Sequence, residues 1–132
     1  MTVKQILNET KQFLETVTGM EVVSVQYKVK YRPENIERLK VAICQAYDTT
    51  MDKLMVRKRK IELVQPRYMF YYFAIEMFSM EVTEAGMVFG HDHTNAIHGR
   101  DKVKDFIYIE DPETLEKIKL VSEYLNNWAE GR

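Results

Sequence analysis

Hydrophobic positions along the chain fall into two periods. Val3, Ile6, Leu7, Phe13, Leu14 and Val17 follow helical spacing, with Thr2 placed to cap the start and Gly19 just past the end. The period then shortens. Val23, Val25, Tyr27, Val29 and Tyr31 alternate with polar residues, which predicts a strand over 22–31. Its partner is either Phe106-Ile107-Tyr108-Ile109 or the same strand of a second chain, since strand backbone groups must be paired. Pro33 suits the first turn of a helix, and Ile36, Leu39, Ala42, Ile43, Ala46 and Tyr47 continue it as a stripe. Thr50 then opens a short turn, Met51 to Met55.

A loop over 56–60 precedes a long helix, Glu62 to Ser79, whose regular part the awkward Pro66 delays to about Gln65. Tyr68 to Phe78, interrupted only by Glu76, is too short to span a bilayer and reads as a core helix. Val82 to Phe89 forms a short helix closed by Gly90. His91 or Asp92 opens the next, running to about Asp105. Asp111-Pro112 supplies cap and first-turn residues for a last helix, with Leu115, Ile118, Val121, Leu125 and Trp128 on its apolar face. The expected fold is mainly α, with one or two accessory β-strands.

A length of 132 residues with 45% hydrophobic content suits one domain with a real core, and leaves no room for a nucleotide-hydrolysing domain beside it. The single cysteine, Cys44, excludes an internal disulfide framework and a cysteine zinc site. The start lacks the apolar core of a signal peptide, so the expected location is the cytoplasm, with no membrane partner. The net charge of −1 conceals polarity: Lys53, Arg57, Lys58, Arg59, Lys60 and Arg67 are opposed within their stretch only by Glu62, while the region from Asp105 onward is net acidic.

A basic loop, a long apolar helix and a helix–Gly–helix unit follow one another. That is the layout of a helix-turn-helix reader with an accessory arm. Cationic side chains would neutralise phosphates and release counterions. Short polar side chains at a helix N-terminus, here Asp92, His93, Thr94 and Asn95, would read base edges in the major groove.

Residues from about Ile43 to Phe106 resemble the C-terminal DNA-binding domain of the bacterial replication initiator DnaA, a helix-turn-helix also likened to the Trp repressor. Asp92-His93-Thr94-Asn95-Ala96-Ile97-His98 resembles the family run Asp-His-Thr-Thr-Val-Leu-His. Arg57-Lys58-Arg59-Lys60 matches its basic loop, Pro66-Arg67-Tyr68-Met69 its Pro-Arg-Gln-Met, and Glu84-Ala85-Gly86 with Phe89-Gly90 its Glu-Ile-Gly and Phe-Gly. The resemblance implies that Arg59 enters the minor groove, that Asp92, His93 and Thr94, with Asn95 beside them, read bases, and that Arg57, Lys58, Lys60 and Arg67 contact phosphates. Departures are a turn one residue shorter between Gly90 and His91, His91 for an arginine, Asn95 for a threonine, Ile61 for a basic-loop arginine, and Ile75 for a lysine. They leave the DNA target sequence open.

The division expected is 1–32 as an N-terminal extension, 33–110 as the DnaA-like domain and 111–132 as a C-terminal helix. The function expected is sequence-specific binding of double-stranded DNA in replication or transcription, by a stand-alone reader of phage or mobile-element type, with no catalysis and no cofactor. A homodimer would form through the 22–31 strand. The competing reading is a protein-interaction module on a degenerate helix-turn-helix. A third is a metal-dependent hydrolase using His91, Asp92 and His98. Its spacing is poor, because His91 and His98 share a face but lie two turns apart, and the neighbouring His93 lies about 140° from His98 on a helix. In the aromatic run Tyr68, Phe70, Tyr71, Tyr72, Phe73 and Phe78, the three phenylalanines read as core rather than as a base-stacking platform, while one of the tyrosine hydroxyls could reach a phosphate. No nucleophile–base pair and no Gly-rich phosphate loop is present.

Overall fold

A computed structural model describes residues 29–56 and 60–129. Among these residues the chain forms six helices: α1 (Pro33–Ala46), α2 (Met51–Leu54), α3 (Ile61–Glu76), α4 (Val82–Val88), α5 (His93–Tyr108) and α6 (Pro112–Ala129). Several of the starts have a local cause. Pro33 sits in the first turn of α1, where its missing N–H breaks no bond. The Thr50 hydroxyl accepts from the Lys53 amide at 3.3 Å and opens α2. Asp111 accepts from the Thr114 amide at 3.0 Å and opens α6.

The centre is α3. From Met69 to Ile75 every residue is buried, so the helix is apolar all round and needs neighbours on all sides. They are α1, α2, α4 and α5, all packed directly on α3. Phe70, Phe73 and Phe78 are core residues, as expected from the sequence. Burying each phenylalanine contributes about 1.5–3 kcal/mol. α6 lies along α1 with Ile118, Val121 and Leu125 inward, and these join the same core. Two cationic contacts tie α6 down. The Lys117 Nζ donates to the Ala46 carbonyl at 2.9 Å, and the Arg38 guanidinium lies 5.2 Å from the Trp128 ring centre.

Several boundaries differ from expectation. α3 starts at Ile61, ahead of Pro66 rather than near it. The carbonyl Pro66 leaves without its helical donor is that of Glu62, an exposed residue, which keeps the loss at the surface. The helix ends at Glu76 instead of Ser79, which adopts φ 56°.

No accessory strand is found among the described residues. Phe106, Ile107 and Tyr108 are the last turn of α5, and the Ile109 amide donates to the Asp105 carbonyl at 3.1 Å. The reason is burial. Val103 and Ile107 turn inward four residues apart, while Tyr108 and Ile109 stay 76% and 66% exposed, a helical pattern and not an alternating one. Of the expected 22–31 strand, only Val29 to Tyr31 are described, and they are irregular. The Val29 amide donates to the Met77 carbonyl at 2.8 Å, closing the end of α3. The rest of that strand, the expected helix at residues 3–17 and the basic residues Arg57, Lys58 and Arg59 lie outside the described residues. No helix among the described residues is long and apolar enough to cross a membrane.

Candidate nucleic-acid interface

α4 and α5 are joined by four residues, Phe89 to Asp92, and the turn is built on Gly86. Its carbonyl accepts from the His91 amide at 2.9 Å and from the Phe89 amide at 3.3 Å. A Cβ on Gly86 would lie 2.4 Å from the Asp92 carbonyl oxygen, so the second helix can approach this closely only over glycine. Gly90 has φ 73° and reverses the chain in the left-handed region. Ala85 and Phe89 are buried, the Phe89 ring 5.2 Å from Phe70 and 5.7 Å from Tyr71. The turn is therefore locked to α3 from below and to α5 from the side.

This geometry presents the first turn of α5. The Asp92 carboxylate accepts from the Asn95 amide at 3.0 Å, fixing the cap. Asp92, His93 and Thr94 are exposed and Asn95 is half-buried. No acidic side chain follows Asp92 in that turn, and the Asp92 carboxylate itself faces the free N–H groups and the positive end of the helix dipole. Behind it, α5 crosses α3 at very short range. A Cβ on Gly99 would come 2.6 Å from the Tyr68 ring and 2.8 Å from the Tyr71 ring. The Arg100 Nε and Lys104 Nζ lie 3.5 and 3.4 Å from the Glu76 carboxylate and brace the crossing.

Between the N-terminal halves of α3 and α5 opens a cleft of about 720 Å³, lined by Val64, Arg67, Tyr68 and Tyr71 on one side and by Gly90 to Asp92, Thr94, Asn95 and His98 on the other. The His98 ring meets Tyr68 edge-on at 5.7 Å and is itself exposed. Among the described residues the buried Tyr71 hydroxyl has no hydrogen-bond partner. Burial pushes its ionisation well above the ordinary tyrosine range, so it stays neutral.

The structure thus gathers Asp92, His93, Thr94 and Asn95 on one turn. Lys60, exposed, is the cap residue of α3. Arg67 departs from the solvent-facing position expected of a phosphate contact: it is 4% exposed, and its guanidinium donates to two backbone carbonyls. Tyr68, Tyr71 and Gly99 were not singled out as site residues in the sequence. Their available signal was the spacing of Ala96, Gly99 and Val103, small or branched residues on one face of α5. Among the described residues no three His, Cys, Asp or Glu side chains cluster to hold a metal ion. His91, Asp92 and His98 share the cleft wall without forming such a group.

Two helices joined by a tight turn, the second capped and projecting from a third, define a helix-turn-helix domain. A family model described as the bacterial DnaA protein helix-turn-helix matches residues 36–103, more than half of the chain. The chain belongs to that family. Among its relatives are proteins named chromosomal replication initiator protein DnaA. That of Thermoanaerobacter sp. (strain X514) is 28% identical over 100 residues, covering 76% of this chain and 23% of the relative. That of Methylacidiphilum infernorum is 24% identical over 125 residues, covering 94% and 26%. That of Thermomicrobium roseum is 34% identical over 65 residues, covering 48% and 14%. The chain spans about a quarter or less of the length of these relatives.

Proposed function

We propose that this protein binds double-stranded DNA with sequence preference, laying the first turn of α5 in the major groove. The observation that carries the reading is the exposed Asp92–Thr94 stretch, with half-buried Asn95 behind it, capped and held out from the core by the Gly86 turn. Asp92 can accept from a cytosine or adenine amino group, Thr94 can set its methyl against thymine, and Asn95 can pair with adenine. His93 stands between them on the same turn. Arg57, Lys58 and Lys60 neutralise phosphates, and Arg59 enters the adjacent minor groove. The relatives' name, chromosomal replication initiator, makes DNA replication the process to test first.

The test is a titration of labelled duplexes, selected from a random pool, over a range of salt. Binding should weaken steeply as salt rises. Arg59→Ala should weaken binding to all duplexes, whereas His93→Ala and Thr94→Ala should relax base preference by about 1–3 kcal/mol per lost contact. Absence of duplex binding at about 50 mM salt, where phosphate contacts are strongest, sinks the proposal.

A further inference from the structure

We infer that the corner where α5 runs into α6 is a docking surface for a basic, amphipathic helix of a partner protein. Phe106, Tyr108 and Ile109 are 40%, 76% and 66% exposed. Single apolar residues scattered over a surface are ordinary, but large ones gathered at one corner mark an interaction site. The core does not call on them, since Val103 and Ile107 already fill the inward face of α5. The corner is also preformed. The Ile109 amide donates to the Asp105 carbonyl at 3.1 Å, the Glu110 amide to the Ile107 carbonyl at 3.0 Å, and the Asp111 amide to the Phe106 carbonyl at 2.9 Å. Little ordering is therefore left for binding to do. Beside the corner lies a cavity of about 140 Å³, with Met69, Val103 and Phe106 among its walls and Asp111 and Glu113 at its edge, which can take the end of one aliphatic anchor.

Charge selects the occupant. From Asp105 to Glu116 the chain carries the carboxylates of Asp105, Glu110, Asp111, Glu113 and Glu116 and no lysine or arginine. The cations that flank this stretch are engaged elsewhere. The Lys104 Nζ lies 3.4 Å from the Glu76 carboxylate, and the Lys117 Nζ donates to the Ala46 carbonyl and sits over the Tyr47 ring. Among the described residues no ion pair holds any of those carboxylates. The last turn of α5 has no basic side chain either, so the negative end of its dipole adds to the same field. Such a field repels nucleic acid and an anionic membrane, and a second copy meeting it corner to corner would set carboxylates against carboxylates. A basic helix is attracted. Its apolar stripe would cover Phe106, Tyr108 and Ile109 while its lysines or arginines face the acidic rim. The corner stands at the far end of α5 from the reading turn, about 24 Å away along its 16 residues, so a partner docked here leaves Asp92 to Asn95 open.

The probe is a fluorescein-labelled helical peptide with leucine along one face and lysine on the rest, titrated against the full chain and read by anisotropy. Wild type should bind it. Control peptides with glutamate in place of lysine, or serine in place of leucine, should not bind. Tyr108→Ser combined with Ile109→Ser, and separately Glu110→Lys combined with Glu113→Lys, should each weaken binding about tenfold or more. All four side chains are exposed, so both variants should keep the wild-type circular dichroism spectrum.

Failure of wild type to bind the lysine–leucine peptide overturns the inference, and so does equal binding by wild type and either variant. Two other occupants would show themselves directly. Dimerisation of wild type in sedimentation that Ile109→Ser abolishes would make the occupant a second copy. Flotation with phosphatidylglycerol vesicles that Tyr108→Ser abolishes would make it a membrane. Either result overturns the inference. No measurement uses DNA, so a wild type that fails to bind any duplex defeats the function proposal alone.

Discussion

Replacing Gly86 by alanine sets two quantities against each other at one atom. In a helix interior alanine is favoured over glycine by about 0.8–1.0 kcal/mol. Here the added Cβ would lie 2.4 Å from the Asp92 carbonyl oxygen, 2.8 Å from its carbon and 3.0 Å from the His91 carbonyl oxygen. An ordinary carbon–oxygen contact needs about 3.3–3.6 Å, so the two helices must part by roughly 1 Å. The neighbour is backbone and cannot swing aside. Overpacking of this kind costs roughly 1–3 kcal/mol, sometimes more, and displacing Asp92 puts at risk the cap it provides, itself typically worth ~1 kcal/mol. The expected net effect is a loss of about 1–3 kcal/mol, read as a lower denaturation midpoint with unchanged slope in urea. Because the displaced atoms belong to the start of α5, duplex affinity should fall with it at temperatures where the variant is still folded. A Gly86→Ala protein that gains about 1 kcal/mol, the propensity alone, and binds the same duplexes would refute the reasoning.

Gly99→Ala meets the rings of Tyr68 and Tyr71 at 2.6 and 2.8 Å, side chains and not backbone, so it should cost less than Gly86→Ala in the same denaturation experiment. Asp92→Ala should cost ~1 kcal/mol by loss of the cap, while Asp92→Asn keeps the cap to within ~0.5 kcal/mol and, in binding assays, shifts base preference by exchanging a carboxylate for an amide. Glu110 is exposed at φ 57° between α5 and α6, and Glu110→Gly should raise stability by about 0.5–1 kcal/mol, seen as a higher melting temperature. Burial raises the ionisation of the Cys44 thiol, so iodoacetamide should label it more slowly than free cysteine at pH 7.5 and at the ordinary rate once the chain is unfolded in urea.

Four of the helix starts were legible because they depend on residues next to one another. Pro33, Thr50, Asp92 and Asp111 each act on amides or turns within three residues of themselves. The core role of Phe70, Phe73 and Phe78 was legible for a different reason: an unbroken apolar run has nowhere to go but inside. Phe106 to Ile109 is one of two candidate partners for the 22–31 strand in the sequence because four apolar residues fit either period, and only the packing of Val103 and Ile107 decides for a helix. Pro66 misplaced the start of α3 because the sequence does not show that the carbonyl it strands is at the surface.

The sequence by itself determined the helix-turn-helix. The Glu84–Gly90 and Asp92–His98 runs carry their own turn and cap chemistry, and the family follows from them. Tertiary structure decided what stands around that unit. It put the Gly86 carbonyl and its missing Cβ against α5, brought Tyr68, Tyr71 and His98 to one cleft, and turned Arg67 inward to the carbonyls of Leu54 and Val56. The physical reason is range. Caps and turns are satisfied within a few residues, but whether an arginine donates to solvent, to a phosphate or to a carbonyl thirteen residues away depends on which helices cross, and no local pattern records the crossing.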